Sequence, residues 1–286
     1  MANLKDIRTR IQSVGSTMQI TNAMKMVSAA KLKKAQEAIE KMRPYAEKLT
    51  ELLAGLSANL DAELGGEYAE QREVNKVLLV PVTSNRGLCG ALNSNIIKQT
   101  ARLIENDYKS QEIEILTIGK KAYEQLSKKY KVIANHSEIF DDLTYENVAK
   151  VAQKIMDDFV EKKYDKVILI YNSFKNAATQ IVKTEQFLPV KTEIPENNIV
   201  LDYIYEPSQA KIVLELIPKS LKTQFYKMIR DAWASEHGAR MTSMHKATDN
   251  AKEMKAELTL QYNKARQAVI TGEILEIVSG AEALKG

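Results

Sequence analysis

Apolar side chains in the first part of the chain recur at alternating steps of three and four positions, from Leu4 to Leu60. The repeat persists over about eight heptads, far more than a coiled coil requires, and predicts one long helix whose apolar seam faces a partner helix. Pro44 lies inside this stretch and removes one backbone donor, so we expect a kink near residues 40–44.

The seam is interrupted once. At three successive positions it carries polar residues, namely Thr21, Lys25 and Ser28. The apolar side chains of that region stand at neighbouring positions instead, namely Ile20, Met24 and Val27. Beyond the interruption the original frame continues unchanged, at Leu32 and Ala35.

The last eighty residues also have a helical pattern. Helix formers dominate after Pro207, with Ser208 as the expected N-cap, and we expect Pro218 to bend or restart the helix. A seam of methionine and small residues follows, which lets two helix backbones approach closely. Its members are Met244, Ala247, Ala251, Met254, Leu258, Ala265 and Ala268. Two long helices at opposite ends of one chain most simply pair antiparallel, and a parallel homodimer of each helix is the alternative.

Residues 74–206 have a different pattern, in which short apolar runs alternate with helical stretches. The runs suited to strands are 77–82, 113–118, 132–134, 167–171, 179–188 and 199–205. The helical stretches between the earlier runs are 91–108, 120–129 and 146–162. This alternation predicts an α/β lobe with a mainly parallel sheet. Because the later strands follow each other directly, we expect an antiparallel edge.

Together these patterns predict an α/β protein with a long antiparallel coiled coil. The N- and C-terminal helices pair, and a Rossmann-like lobe lies between them in sequence. The predicted divisions are residues 1–73 for the N-terminal helix, 74–206 for the lobe and 207–286 for the C-terminal helix.

Composition narrows the class of protein. Hydrophobic residues make up 44% and charged residues 27% of the chain, which is ordinary for a protein that buries a core. No apolar run approaches the ~20 residues of a membrane span, and the start of the chain lacks the order of a signal peptide, so export is not expected. The single cysteine, Cys89, excludes an internal disulfide and is expected to be a small buried residue.

Candidate catalytic and cofactor motifs are weak. Residues 87–90 follow the first strand, but the third glycine and the acidic residue of a dinucleotide site are missing. Gly119 and Lys120 lack the rest of a phosphate loop, so we expect tight turns, with nucleotide binding as the alternative. His237 and His245 are expected on a polar helix surface rather than at a zinc site. No catalytic, metal or cofactor residue is therefore predicted.

Charge and apolarity are distributed unevenly along the helices. Residues 1–48 carry ten basic and four acidic residues, a net charge of +6, whereas the whole chain carries +4. This excess indicates an acidic partner, protein or nucleic acid, with plain solvation as the alternative. Near the other end, apolar residues surround nearly the whole helix, namely Val269, Ile270, Ile274, Leu275, Ile277 and Val278. One partner helix cannot cover them all, so we expect another protein to do so.

Five segments of the chain resemble those of a known family. They are residues 18–27, 84–90, 247–250, 262–267 and 270–274, which are similar to motifs of the gamma subunit of F-type ATP synthases, the central shaft of a rotary motor. The resemblance extends over the whole chain. Gly272 departs from it, because glutamine is more common there in the family.

The resemblance implies a non-catalytic rotor shaft that couples proton flow through the membrane c-ring to ATP synthesis or hydrolysis at the beta subunits. The implied partners are the alternating alpha and beta subunits, the epsilon subunit and the c-ring. No nucleic acid and no cofactor are implied, and membrane contact is made only through the c-ring. The implied location is the cytoplasmic face of the cell membrane, as a peripheral protein.

The resemblance also assigns residues to contacts. The implied rotor–stator contacts are Met24, Lys25, Lys31, Lys33, Lys34, Arg266, Gln267, Thr271 and Glu273. An implied hydrophobic bearing comprises Val269, Ile270, Ile274, Ile277 and Val278. An implied foot on the c-ring and epsilon comprises Arg43, Tyr203, Tyr205 and Glu206. The rival hypotheses are a coiled-coil scaffold or nucleic-acid-binding protein with an α/β lobe, and a nucleotide-binding α/β enzyme.

Overall fold

The computed structural model describes residues 4–57, 67–190 and 209–284. The helices and strands follow in chain order: α1 (Leu4–Ser57), β1 (Lys76–Pro81), α2 (Leu92–Arg102), β2 (Glu112–Thr117), α3 (Lys120–Leu126), β3 (Val132–Asn135), α4 (Tyr145–Val160), β4 (Lys166–Phe174), β5 (Gln180–Leu188) and α5 (Gln209–Ala283). A π-helical turn (Leu103–Asp107) extends α2, and a 3-10 turn (Ser137–Phe140) precedes α4. Five predicted strands and three predicted helices of the lobe are thereby confirmed, while the predicted strand 199–205 lies outside the described residues.

Two long helices frame the chain. α1 has 54 residues and continues through Pro44, and α5 has 75 residues and continues through Pro218. The helix does not restart at Pro218, whereas a bend at Pro218 and a kink near residues 40–44 stay predictions. An internal proline costs about 3 kcal/mol, and the buried side chains of Leu221 and Phe225 that follow it offset this cost by packing into the core.

The chain forms two compact units, one of Met1–Ser28 with Met241–Gly286 and one of Ala29–Arg240. The three-part division at residues 73 and 206 stays a prediction, because both boundaries fall near or within segments outside the described residues.

The first unit is an antiparallel pair of helices, as predicted. The Thr248 hydroxyl of α5 lies 2.9 Å from the Thr21 hydroxyl of α1. Seven residues further along α5, the Lys255 ammonium lies 3.8 Å from the position that a Cβ on Gly15 would take. Residue numbers therefore rise along one helix as they fall along the other.

The polar interruption of the α1 seam is buried in this pair. Thr21 and Ser28 are buried, whereas Ile20 and Val27 are 60% and 57% exposed. The Thr21 hydroxyl is satisfied, because it lies 3.1 Å from the Met18 carbonyl oxygen and also meets Thr248. The coiled-coil frame thus stays continuous, and the apolar side chains beside it face outward.

The predicted α5 seam is largely correct, because five of its members are buried or half-buried, namely Met244, Ala247, Ala251, Leu258 and Ala265, and two are not. Met254 is 52% exposed and Ala268 is exposed, while Lys255 takes a half-buried position. Lys255 lies opposite Gly15, where the apolar stem of a lysine can pack along the helix pair while its ammonium group reaches water.

The second unit contains a five-stranded sheet of order β3-β2-β1-β4-β5. The first four strands are parallel, and β5 pairs antiparallel with β4, as the sequence predicted. Both faces of the sheet are covered. Val77 and Leu79 of β1 pack on the face that carries α2 and α3, while Leu78 and Val80 pack on the face that carries α4 and part of α5.

Candidate partner-binding surfaces

The end of α5 presents a continuous apolar surface, which we call the apolar tip. Its large hydrophobic residues are exposed: Val269, Ile270, Ile274, Leu275, Ile277 and Val278. Ile277 reaches 71% exposure. Monomeric proteins rarely leave such a patch open, so the apolar tip has the character of a partner-binding surface.

Polar residues accompany the apolar tip. Arg266, Gln267, Thr271 and Glu273 are all exposed. Gln267 and Thr271 are one helical turn apart, so their side chains lie on one face of α5. Within the described part of the chain, none of these four side chains has an intramolecular hydrogen bond or ion pair, and all four are therefore available to a partner.

The α1 residues assigned to rotor–stator contact differ in exposure. Met24 and Lys25, in the first unit, are half-buried. Lys31, Lys33 and Lys34, in the second unit, are exposed. Lys33 lies 3.9 Å from Glu37, and an exposed pair of this kind contributes little to stability and leaves the lysine free to exchange partners.

The proposed foot falls largely outside the described residues. Arg43 belongs to α1, but its side chain is outside the described part of the structure. Tyr203, Tyr205 and Glu206 also lie outside the described residues.

The carboxyl ends of β1 and β4 enclose the crevice at which doubly wound α/β folds bind ligands, because the connections leave these strands in opposite directions. Here α5 occupies that crevice. The Ser235 hydroxyl donates to the Asn172 carbonyl oxygen at 2.9 Å, and the Arg240 guanidinium donates to the carbonyl oxygens of Arg86 and Gly87. Sequence reasoning missed these contacts, although the spacing of Glu236 and Arg240 is that of a helical ion pair.

The N-terminus of α3, where a phosphate loop would bind its anion, is engaged by the chain itself. The Ala122 N–H donates to the Thr83 hydroxyl at 2.9 Å, and the Lys120 N–H donates to the Asn85 side chain at 3.1 Å. Gly119 has φ +106°, and a Cβ there would lie 2.0 Å from the Thr83 carbonyl oxygen. This glycine is therefore required by close packing against Thr83, in the segment that follows β1.

The two helical histidines have different surroundings. His237 is only 4% exposed, so the expectation that it lies on the helix surface is wrong. Burial, with Arg240 and Lys31 as further causes, lowers its pKa to about 3, and its ring packs edge-on against Trp233 at 4.8 Å. His245 is exposed and lies 3.4 Å from Asp249, as predicted for a polar surface.

Cys89 is buried, as predicted, and burial raises the pKa of its thiol. Its sulfur accepts a hydrogen bond from the Asn93 side chain at 3.3 Å. No group of three or more histidine, cysteine or carboxylate side chains is placed to hold a metal ion in the described ranges. Nor is any helix there long and apolar enough to cross a membrane.

Comparison with known proteins shows the family to which this chain belongs. The model of the ATP synthase family matches residues 3–284. The gamma chain of ATP synthase from Flavobacterium psychrophilum is 64% identical, and that from Christiangramia forsetii is 61% identical, in each case over the whole of both chains. The chain belongs to the ATP synthase gamma chain family.

Solved structures have the same architecture. A chain in the central stalk and c-ring structure of Tetrahymena thermophila mitochondrial ATP synthase is 26% identical, with a TM-score of 0.59 over 80% of this chain and 99% of that one. A chain of the Euglena gracilis mitochondrial enzyme is 20% identical, with a TM-score of 0.68 over 98% of this chain and 94% of that one, and supports the fold alone.

Proposed function

We propose that this chain is the central rotor shaft of an F-type ATP synthase. It couples proton flow through the membrane c-ring to ATP synthesis or hydrolysis at the beta subunits, and it is itself non-catalytic. The observation that carries this function is the 64% identity, over the full length of both chains, to a relative named as an ATP synthase gamma chain.

The geometry suits a part that transmits rotation. A pair of antiparallel helices resists bending and twisting better than a single helix, because side chains from both helices interlock along the seam. Turning such an asymmetric shaft inside a ring of alternating alpha and beta subunits presents a different face to each catalytic site in succession. Nucleotides bind to the ring, and this chain supplies the motion.

We assign the apolar tip to a bearing within the ring. Val269, Ile270, Ile274, Ile277 and Val278 supply its surface. Apolar contact is non-directional, so a hydrophobic sleeve holds the shaft on its axis without favouring one angle of rotation.

Polar contacts, unlike the apolar bearing, depend on the rotation angle of the shaft. We assign Arg266, Gln267, Thr271 and Glu273 to contacts with the beta subunits, and likewise Met24, Lys25, Lys31, Lys33 and Lys34 of α1. A cation that meets an acidic loop of a beta subunit makes a contact that depends on position and is broken at each step. The exposure of the three later lysines supports this assignment.

The remaining partners follow from the same role. The lobe and the foot, with Arg43, Tyr203, Tyr205 and Glu206, contact the epsilon subunit and the c-ring. The chain then lies at the cytoplasmic face of the cell membrane as a peripheral protein, and it reaches the membrane only through the c-ring.

The first test is capture of the complex. An affinity tag on this chain should retrieve alpha, beta and epsilon subunits from detergent-solubilised membranes, together with the c-ring. If neither alpha nor beta is retrieved with the tagged wild-type chain, the proposed function is overturned.

The same experiment tests the bearing. The double variant Ile274→Ser/Ile277→Ser should reduce the amount of alpha and beta retrieved, because two exposed isoleucines leave the apolar tip. Ile133→Ser, which removes an exposed isoleucine from β3 in the second unit, is the matched control and should retrieve the ring at the wild-type level. Equal retrieval by all three chains would contradict the bearing assignment.

A further inference from the structure

A row of polar contacts fastens α5 to the carboxyl edge of the sheet. The Ser173 hydroxyl of β4 donates to the Asp231 carboxylate at 3.2 Å. One turn on, the Ser235 hydroxyl donates to the Asn172 carbonyl oxygen at 2.9 Å. The row ends at Arg240, which meets the turn after β1.

The guanidinium group of Arg240 contacts one carboxylate and two backbone carbonyl oxygens. Its Nη1 lies 2.7 Å from the Glu236 carboxylate, and both side chains are almost completely buried. Its Nη2 donates to the Arg86 carbonyl oxygen at 3.1 Å, and its Nε donates to the Gly87 carbonyl oxygen at 3.3 Å. A buried guanidinium that uses its planar fork in this way fixes both position and angle.

The turn that Arg240 holds is conformationally unfavourable by itself. Leu88 has φ +62°, in the left-handed region that non-glycine residues rarely adopt, and its side chain is exposed. Such a conformation persists only where the surrounding structure enforces it. Arg240 supplies part of that enforcement through the two preceding carbonyl groups.

We propose that these contacts, with Arg240 as the principal positioning residue, form the joint through which torque passes between the α/β lobe and α5. The inference rests on the proposed rotor function, and it names the contacts by which torque passes from one part of the chain to another. The crevice that binds ligands in related folds holds the chain's own helix here.

Apolar and polar contacts between α5 and the lobe oppose different motions. Leu221, Phe225 and Ile229 of α5 pack into the core of the lobe and oppose its separation from the sheet. Apolar packing is non-directional and opposes sliding or rotation only weakly. Hydrogen bonds weaken steeply with angle, so the polar row is the part of the interface that fixes register under torque.

The first arm of the test uses the isolated full-length chain and Cys89. This residue is the only cysteine, is buried and lies in the turn that Arg240 holds, so its rate of labelling by a maleimide reports opening of that turn. Glu236→Gln/Arg240→Met removes both charges together and leaves no unpaired buried charge. Loss of the charge-assisted bonds should speed labelling about tenfold or more. Lys219→Met, an exposed charge loss on the same helix, should label at the wild-type rate.

The second arm uses membranes that carry the assembled complex. With the double variant, ATP hydrolysis should continue while proton pumping per ATP hydrolysed falls several-fold, because part of each turn is lost in the joint. Arg240→Lys retains a cation and should recover part of the pumping. Ser235→Ala, which removes one hydroxyl only, should lower pumping per ATP to a lesser extent.

The outcomes separate the two proposals. Unchanged Cys89 labelling would overturn the role of Arg240, and faster labelling with wild-type pumping per ATP would overturn the torque joint. If the double variant does not fold, Ser235→Ala decides, and wild-type pumping by that variant counts against the joint. Failure of the wild-type chain to retrieve alpha and beta subunits would instead overturn the rotor function, while the labelling arm would still test the role of Arg240.

Discussion

At the scale of single residues, close packing and burial decide which positions tolerate change. Gly119 has a positive φ and no room for a Cβ beside Thr83, whereas Gly87 has no neighbouring atom within 4 Å of a built Cβ. From the sequence alone, both glycines were predicted to lie in tight turns. Their surroundings distinguish them.

Gly119→Ala should therefore lower the free energy of unfolding by at least about 2 kcal/mol, because the new methyl group clashes with backbone and the φ is strained. Gly87→Ala should change it by less than about 1 kcal/mol. Urea denaturation of the isolated chain measures both. Equal effects of the two substitutions would show that the tight approach of Gly119 to Thr83 is not maintained in solution.

His237 should make stability depend on pH. Its pKa is lowered to about 3 in the folded chain, so below about pH 6.5 the unfolded chain binds the proton more readily. The free energy of unfolding should therefore fall as pH falls from about 6.5 towards 3, by up to ~1.4 kcal/mol per pH unit. Burial raises the pKa of Glu236, which contributes a slope of opposite sign, so the effect is best measured as a difference between variants.

His237→Gln should remove this part of the slope between pH 8 and pH 5 in denaturation experiments. A wild-type slope in His237→Gln would mean that the proton is taken up elsewhere.

At the scale of elements, the heptad repeat predicted two long helices and their antiparallel pairing, and alternating apolar runs predicted the strands of the lobe. These patterns succeed because they record which side chains a regular element turns inward. The position of Met254 and the burial of Thr21 could not be read from them. The burial of Thr21 depends on the residue opposite, because the Thr248 hydroxyl lies within hydrogen-bond distance of the Thr21 hydroxyl.

The polar pair Thr21 and Thr248 offers a test of that helix pairing. Each of Thr21→Val and Thr248→Val should cost about 1 kcal/mol, since one hydroxyl of the buried pair is left with fewer partners. The double variant should cost less than the sum of the two, because both hydroxyls are then absent and the shapes are kept. Chemical denaturation of the wild type, the two single variants and the double variant gives the four free energies of unfolding of this double-mutant cycle.

Thr9→Val is the control for that cycle. The Thr9 hydroxyl is exposed and bonds only to the Lys5 carbonyl oxygen of its own helix, at 3.0 Å, within the described residues. Its loss should change stability by less than about 0.5 kcal/mol. Strictly additive effects of Thr21→Val and Thr248→Val would contradict a hydrogen bond between the helices.

At the scale of the whole molecule, the two candidate sites differ in whether the sequence alone could locate them. The apolar tip was predictable, because a helix that is apolar all round needs more cover than one neighbour gives. The joint around Arg240 was not, because its acceptors are backbone carbonyl oxygens more than 150 positions away in sequence, which carry no signal in residue type.

Gln267→Ala and Thr271→Ala should each lower ATP synthesis by membranes about two- to tenfold, and the double variant should lower it further. Contacts that are broken at every turn are limited to about 0.5–1.5 kcal/mol each. Gln261→Ala, an exposed glutamine earlier on α5, serves as the control. Wild-type synthesis by all three variants would leave these residues as solvated helix surface.

The contribution of α5 to the core of the lobe also sets an order of events during synthesis on the ribosome. The five strands that the structure describes have been made by residue 188, but one face of their sheet is completed by Leu221, Phe225 and Met228 of α5. The nascent lobe therefore carries a partly uncovered apolar face, covered by α4 but not by α5, until residues 221–228 of α5 have been made. A chain released before these residues are made would expose that part of the face and be prone to aggregate.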